Sequence, residues 1–370
     1  LENARISGWQ MFVITFFFTA GTTWIILPGK LISDAKQYSW LVCLWAMVYG
    51  LAIALLWLFL AKRFPGKNLI EIVTLVLGRW AGGLVALFYI LYFTQIASWV
   101  TRNLSDFMNI SLMPRTPQSV FHVMVLIICA YAVVKGIESI AMVTELLTPY
   151  LHFVFWIPVT WGVAREWDWQ NFNVPFEFHF LNTFDQTKYL LGFPFMETVS
   201  LMMLFPYVHN RLKTSYLLGV FAAGTIMILS VLMPIGSLGV ERSAHLVYPI
   251  FVLFREMQFT GFLEHLEAIL AINILFVVCL KLSIVFYCAV LAICQLFGVK
   301  KRSAVAYPLI WFLSAYSLLF ENIVMNVEWV DNYLFHYYAL YGIVFPVLLL
   351  LVAWMRRMNH APLSGGNRPA

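Results

Sequence analysis

The sequence predicts an all-α integral membrane protein of about ten transmembrane helices, arranged as a 5+5 inverted repeat with helices 1 and 6 broken. Three observations carry this. Hydrophobic residues make up 62% of the 370 positions and charged residues 11%, with a mean hydropathy of +0.83. An ordinary soluble domain is about 25% charged. Two apolar segments are interrupted in the middle, and the loops between apolar runs alternate in charge.

A spanning helix needs roughly 20 mostly apolar residues. On that rule the spans fall near residues 9–32, 38–61, 80–110, 118–135, 139–163, 187–208, 214–238, 260–297, 304–323 and 334–355. The third and eighth are long enough to tilt or project beyond the lipid. The first run, beginning near Trp9, is read as a span and not as a cleaved signal peptide, because no A-x-A-like site follows an h-region.

One set of loops carries Lys62, Arg63, Lys67 and Arg79, then Lys135, Arg211 and Lys213, Lys300 to Arg302, and Arg356 with Arg357. The other set is acid-rich: Asp34, Glu166, Asp168, Glu177, Asp185, Glu241, Glu256, Glu264, Glu328 and Asp331. Bases favour the cytoplasmic side, so both termini are expected there, which requires an even number of spans. The expected units are residues 1–163 as the first repeat (helices 1–5), 164–186 as an outer loop, and 187–357 as the second repeat (helices 6–10). Residues 358–370 are expected to be a disordered tail or a cloning scar. Residues 248–254 are too short to span and are expected to lie flat at the outer surface, and residues 67–73 form a short amphipathic piece on the inner side.

The net charge of +5 is not a nucleic-acid footprint, because the bases sit beside apolar segments. The five cysteines lie within apolar runs with no C-x-x-C spacing, so neither a disulfide framework nor a zinc site is supported. His152, His265 and His336 are scattered. With no nucleophile–base pair, phosphate loop or paired carboxylates, catalysis is not expected and no cofactor is implied.

The interruptions are the main functional signal. The first is Thr19-Ala20-Gly21-Thr22-Thr23 and the second is Gly192-Phe193-Pro194-Phe195-Met196. Backbone broken at membrane depth leaves polar groups that lipid cannot satisfy, so it survives only inside protein or beside a cavity. Paired breaks in corresponding places of two halves point to a midplane binding site. Ala20, Gly21, Thr22, Thr23, Gly192, Phe193, Pro194, Phe195 and Met196 are therefore ligand-binding candidates, with Phe195 as an aromatic gate. Freed N–H groups suit a carboxylate and freed carbonyls an ammonium, so an amino acid is the natural ligand. The plainer alternatives are a small-residue helix contact at Thr22 and Thr23 and an ordinary kink at Pro194. Tyr92 and Gln95 share a face of the third span with Tyr89 and could line the same cavity. Glu197, Glu145 and Lys281 are ionisable groups inside spans, serving either proton or charge coupling or bundle structure. Arg102 and Asp106, at i and i+4, are expected to pair or to snorkel outward. Tyr337, Tyr338 and Tyr341 are expected to form an interfacial belt.

Ile6-Ser7 followed by Gln10, Gly78-Arg79-Trp80 leading into Tyr89-Ile90-Leu91-Tyr92-Phe93, Gly136-Ile137-Glu138 with Glu145-Leu146-Leu147, and Phe193-Pro194-Phe195-Met196-Glu197 with Phe205-Pro206-Tyr207-Val208 together form a pattern. It resembles the B subunits of endospore germination receptors, over nearly the whole chain. That family is similar to the amino acid/polyamine/organocation permeases, which implies a LeuT/APC-like fold. The resemblance implies a nutrient sensor of the spore inner membrane that binds a small germinant and signals to receptor A and C subunits. The chain departs from many relatives in having Ala20-Gly21-Thr22-Thr23 where they have a glycine-rich break. In folds of this type spans one, five and eight meet near a sodium site. Lys281 could stand in for that cation, with Glu145 as a partner, or the two could simply fix helix packing. An active amino-acid transporter (proton-coupled or an exchanger) and a water or ion conduit remain the alternatives.

Overall fold

Ser7 starts the first helix. Its hydroxyl accepts from the Gln10 amide (3.1 Å) while the Gln10 side chain accepts from the Ser7 amide (2.9 Å), a reciprocal capping box. The structure, a computed structural model, describes residues 4–173, 175, 180–256, 266–320 and 323–358. Helix α1 (Gly8–Ala20) ends at Gly21, whose φ of 38° and ψ of −125° suit a residue without a Cβ. Helix α2 (Thr23–Ala35) resumes after Thr22, so the first expected span is two helices.

Helix α3 (Ser39–Arg63) leads to α4 (Leu69–Leu77), which a second capping box between Asn68 and Glu71 opens and Gly78, at φ 84°, closes. Helix α5 (Arg79–Ser111) follows with 33 residues, about 50 Å at 1.5 Å per residue and longer than the roughly 30 Å hydrocarbon core. Then come α6 (Gln118–Lys135), α7 (Ile137–Glu166) and α8 (Phe180–Leu190). Helix α8 begins before the expected 187. After it the chain leaves regular helix through wide turns at Leu191–Phe195, with Phe193 at φ −125° and ψ 108°, and 3-10 turns at Met196–Met203 and Phe205–Tyr207. The Pro194 ring, lacking an N–H, accounts for the interruption.

Helices α9 (Leu212–Leu238), α10 (Val240–Ala244), α11 (Pro249–Glu256), α12 (Leu266–Phe297) and α13 (Ser303–Ser317) complete the middle of the second half. The last path is α14 (Ile323–Trp329), α15 (Phe335–Ala339) and α16 (Phe345–Met355), joined by wide π-type turns at Val330–Leu334 and Leu340–Val344. It starts earlier than the expected 334, because Asn326 and Asp331 lower the hydropathy without ending the helix. His265 and residues 359–370, which include nearly all of the expected tail, lie outside the described residues.

Six helical stretches among the described residues are long and apolar enough to cross a membrane. The chain is an all-helical membrane protein with several apolar spans. Two groups of helices dominate the packing. Helices α1, α2 and α3 pack against α9, while α5, α6, α12 and α13 pack on one another, and α7 touches both groups. The broken segment after α8 lies against α3 on one side and the α14–α16 path on the other.

Helix α11 does not lie flat on a lipid surface. Ile250, Phe251, Leu253 and Phe254 are all buried, the helix packs on α2, α9 and α12, and the Phe251 ring meets Phe107 edge-on at 5.5 Å. It is a plug over the acid-rich end, because its apolar face finds protein before lipid. At the basic end the chain is tied by backbone. The Ile6 amide donates to the Tyr207 carbonyl (2.9 Å) and the His209 amide to the Ile6 carbonyl (3.2 Å). The Gly8 amide donates to Asn210 Oδ1 at 2.7 Å. Arg63 donates to the Ala353 and Met358 carbonyls and Arg356 to that of Val76, fastening the last helix to α3 and α4.

A Cβ built at Gly219 on α9 would lie 2.6 Å from Thr15 Cβ and 3.0 Å from the Phe12 carbonyl on α1. Gly219→Val should therefore destabilise the protein by about 1–3 kcal/mol, read as a lower thermal midpoint in detergent. Gly83→Ala, which faces nothing nearer than Leu296 at 4.0 Å, should change stability by no more than about 0.5 kcal/mol.

Candidate functional site

The two breaks meet at a buried ion pair. Glu197 follows the second break, and Lys281 on α12 donates to its Oε2 at 2.5 Å, with side-chain exposures of 2% and 0%. Tyr338 on α15 donates to the other oxygen, Oε1, at 3.3 Å. The Lys281 ammonium also lies over the rings of Phe193 (4.7 Å) and Phe18 (5.4 Å), one from each break. Such cation–π contacts strengthen where water is excluded. The Lys281 stem runs along Gly21. A Cβ there would overlap its Cδ and would sit 3.2 Å from its Nζ. Gly21 thus serves twice, as a positive-φ hinge and as the groove for a lysine.

The last helical path holds the second break from behind at four-residue spacing. Leu334 fills the space beside Gly192, Tyr338 reaches Glu197, and Gly342 lies against Met196. The wide turn at Leu340–Val344 leaves carbonyls out of the regular ladder. The Tyr341 carbonyl accepts from the Tyr89 hydroxyl (2.9 Å) and the Gly342 carbonyl from Trp57 Nε1 (2.7 Å). Tyr92 donates to the Met196 carbonyl at 3.3 Å, stacks on Tyr341 at 4.4 Å and meets Tyr338 edge-on at 5.1 Å.

A cavity of about 330 Å³ opens on the acid-rich end. Phe193 and Glu197 line it, with Ile26, Leu27 and Lys30 of α2, Trp99, Val100 and Asp106 of α5, and Asn326 and Leu334 of the last path. His245 lines it too, and its lysine and its carboxylates are paired within the protein. Lys30 contacts Asp331 (3.0 Å) and Asp34 (3.6 Å) and sits over the Tyr189 ring. Asp106 receives both its oxygens' bonds from Arg102 (2.9 and 3.0 Å) and a further one from Gln118 (2.7 Å). Arg102 and Asp106 pair as expected and are buried instead of snorkelling, because Arg102 also donates to the Ser317 and Phe320 carbonyls.

Of the candidates named from sequence, Phe193 and Glu197 line the cavity. Gly21 and Lys281 sit at the ion pair, and Met196 lies against Gly342. Thr22 and Thr23 are buried, and their hydroxyls have no hydrogen-bond partner among the described residues. Ala20 borders a separate small space shared with His152 and Asn273. Pro194 is buried within the break and Gln95 is buried on α5. Neither lines the cavity, and the Tyr92 ring is likewise packed away from it. The Phe195 ring is turned onto Gly50 of α3, behind the break, so Phe193 takes the cavity-facing position expected of Phe195. Glu145 is not the partner of Lys281: it accepts from Gln10 at 2.9 Å, at the basic end of α1. The interfacial belt is also corrected. Tyr338 and Tyr341 are buried, because their i, i+3 face meets Tyr92 and the second break. Lys30, Asp331 and Phe18 carried no sequence signal that set them apart. No cluster of three metal-ligating side chains occurs among the described residues.

An interrupted pair of helices, joined by a buried ion pair beneath a cavity, defines a membrane protein of transporter-like architecture. The fold resembles a Na+-coupled sialic acid symporter solved substrate-bound in an outward-open state, with a TM-score of 0.61 at 13% identity, covering 96% of this chain and 80% of that one. The chain belongs to the spore germination protein family, which it matches over residues 5–324, a family of permease-like membrane proteins and not of enzymes. It is 26% identical over 379 residues to spore germination protein KB of Bacillus subtilis, covering 99% of each chain. It is 21% identical to spore germination protein YndE of the same organism, over 93% of this chain and 95% of that one.

Removing one member of a buried ion pair leaves the other charge uncompensated, at about 3–5 kcal/mol. Glu197→Gln and Lys281→Met should each lower the thermal midpoint strongly, and the double variant should cost less than the two singles together. Tyr338→Phe should cost about 0.5–1.5 kcal/mol. Unfolding of the wild type, the two singles and the double variant in one detergent measures the cycle, with Tyr338→Phe read beside them.

Proposed function

We propose that the chain is the membrane B subunit of a spore nutrient-germinant receptor, with ten spans in a 5+5 inverted repeat and both termini on the cytoplasmic face of the spore inner membrane. It binds a small germinant of the amino-acid class in the cavity above the second break. The change at the breaks is passed to the receptor's A and C subunits. The observation that carries this reading is the position of Glu197. It lines the cavity, while its partner Lys281 lies along Gly21 of the first break. An occupant of the cavity floor therefore acts on both broken helices at once.

Sensing is favoured over transport by the family to which the chain belongs, and the cavity is closed at the basic end. There α1 is bonded to the end of the sixth span through Ile6 and Gly8 and to α7 through Gln10 and Glu145. No stretch of the cavity lining reaches those residues. A ligand that enters from the acid-rich end meets a closed floor.

Filling the cavity tests the reading. Val100→Trp should abolish saturable amino-acid binding by the purified protein, measured by calorimetry on protein whose unfolding transition shows that it is still folded. Proteoliposomes of the wild type should show binding without counterflow of labelled amino acid. Counterflow by the isolated subunit would make it a transporter.

A further inference from the structure

We propose that the Glu197–Lys281 pair is itself the recognition element of the ligand site, and that an α-amino acid zwitterion binds by insertion into it, ammonium on Glu197 and carboxylate on Lys281. This rests on the reading of the cavity as the ligand site and names the chemistry of its floor.

The other charged groups of the cavity are held by several fixed partners. Asp106 has both oxygens taken by the Arg102 guanidinium and Gln118, and Lys30 is shared between Asp331 and Asp34. Glu197 differs. Its one charged donor is an ammonium on a flexible four-carbon stem, and its other donor is a tyrosine hydroxyl at 3.3 Å. It is also the carboxylate at the floor, beside the Phe193 ring. The Lys281 stem lies in the groove that Gly21 leaves, so its ammonium is held at Glu197 by a flexible chain and not by a rigid fork.

Charge balance then selects the ligand. A cation that took Glu197 would strand the Lys281 ammonium in a dry site. An anion that took Lys281 would strand the Glu197 carboxylate. Either outcome carries the penalty of an unpaired buried charge. A zwitterion supplies both charges and leaves neither group alone. The Thr22 and Thr23 hydroxyls follow Gly21 in the chain. Both are buried without a hydrogen-bond partner among the described residues, although neither lines the cavity.

The test uses the full chain in detergent, with calorimetric titration of each common L-amino acid. Each binder is compared with its amide, a cation, and its deaminated acid, an anion. The wild type should prefer the zwitterion to either analogue by at least about tenfold. Lys281→Met should shift the preference to the amide, and Glu197→Gln to the deaminated acid. If a single variant fails to fold, the doubly neutral Glu197→Gln/Lys281→Met decides. It should fold and lose at least about tenfold in zwitterion affinity. Equal binding of all three charge types by the wild type, an unaltered affinity in the double variant, or no binding of any L-amino acid would overturn the proposal. Val100→Trp separates the two readings. Binding that is lost there but indifferent to ligand charge keeps the cavity and removes insertion. Binding that survives Val100→Trp removes both.

Discussion

A lysine and a glutamate, both out of water, hold the centre of this protein together. Their attraction alone is poor evidence of stability, since taking two charges from water offsets most of what the pair returns. What the pair supplies is constraint. Lys281 comes from α12, in the group built on α5 and α6, whereas Glu197 and Gly21 belong to the group built on α9. The contact thus pins one helical group to the other at the depth where both broken helices expose backbone. The aromatic rings of Phe18 and Phe193 close the ammonium between the breaks, so each interruption is held by the same cation.

Around that point the structure repeatedly satisfies irregular backbone with side chains. The second break receives Tyr92 on the Met196 carbonyl, and Thr198 bonds back to the Phe195 carbonyl while accepting from Tyr216. The wide turns of the last path receive Tyr89 and Trp57. In lipid each of these carbonyls would otherwise be left bare. The polar hydroxyls of Tyr89, Tyr92 and Tyr338 therefore serve as bundle fasteners, and their rings fill the space between α5 and the last path. Movement of the second break would have to be followed by Tyr338 and so by the helix that ends at Arg356 beside α4. That helix joins the cavity floor to the basic end.

Much of this was legible in the sequence, for physical reasons that can be named. Gly21 and Pro194 mark the breaks because each weakens a helix and the two stand in corresponding places of the two halves. Composition and loop charge give a multi-span protein. What stayed hidden depends on which faces meet. Lys281 and Glu145 are both intramembrane charges, and nothing in their spacing says that Glu145 turns to Gln10 and Lys281 to Glu197. Phe193 and Phe195 flank one proline, and only the fold shows which ring faces the cavity and which lies on Gly50. Tyr338 and Tyr341 read as interfacial because aromatic residues near a span end usually are. Their burial follows from an extra stretch of helix, Ile323–Trp329 and the wide turn after it, that hydropathy did not register. Helix α11 was misplaced for the converse reason, since an apolar face too short to span does not say whether lipid or protein covers it.

The central claim is that the cavity floor and both breaks form one mechanical unit through Glu197 and Lys281. Hydrogen–deuterium exchange of the purified protein, with and without a saturating amino acid, tests it most directly. Peptides covering residues 18–24 and 191–198 should gain protection together in the wild type, and in the doubly neutral Glu197→Gln/Lys281→Met protein the response of the first break should be lost. Protection confined to one break in the wild type, or a coupled response that persists without the ion pair, would contradict the account.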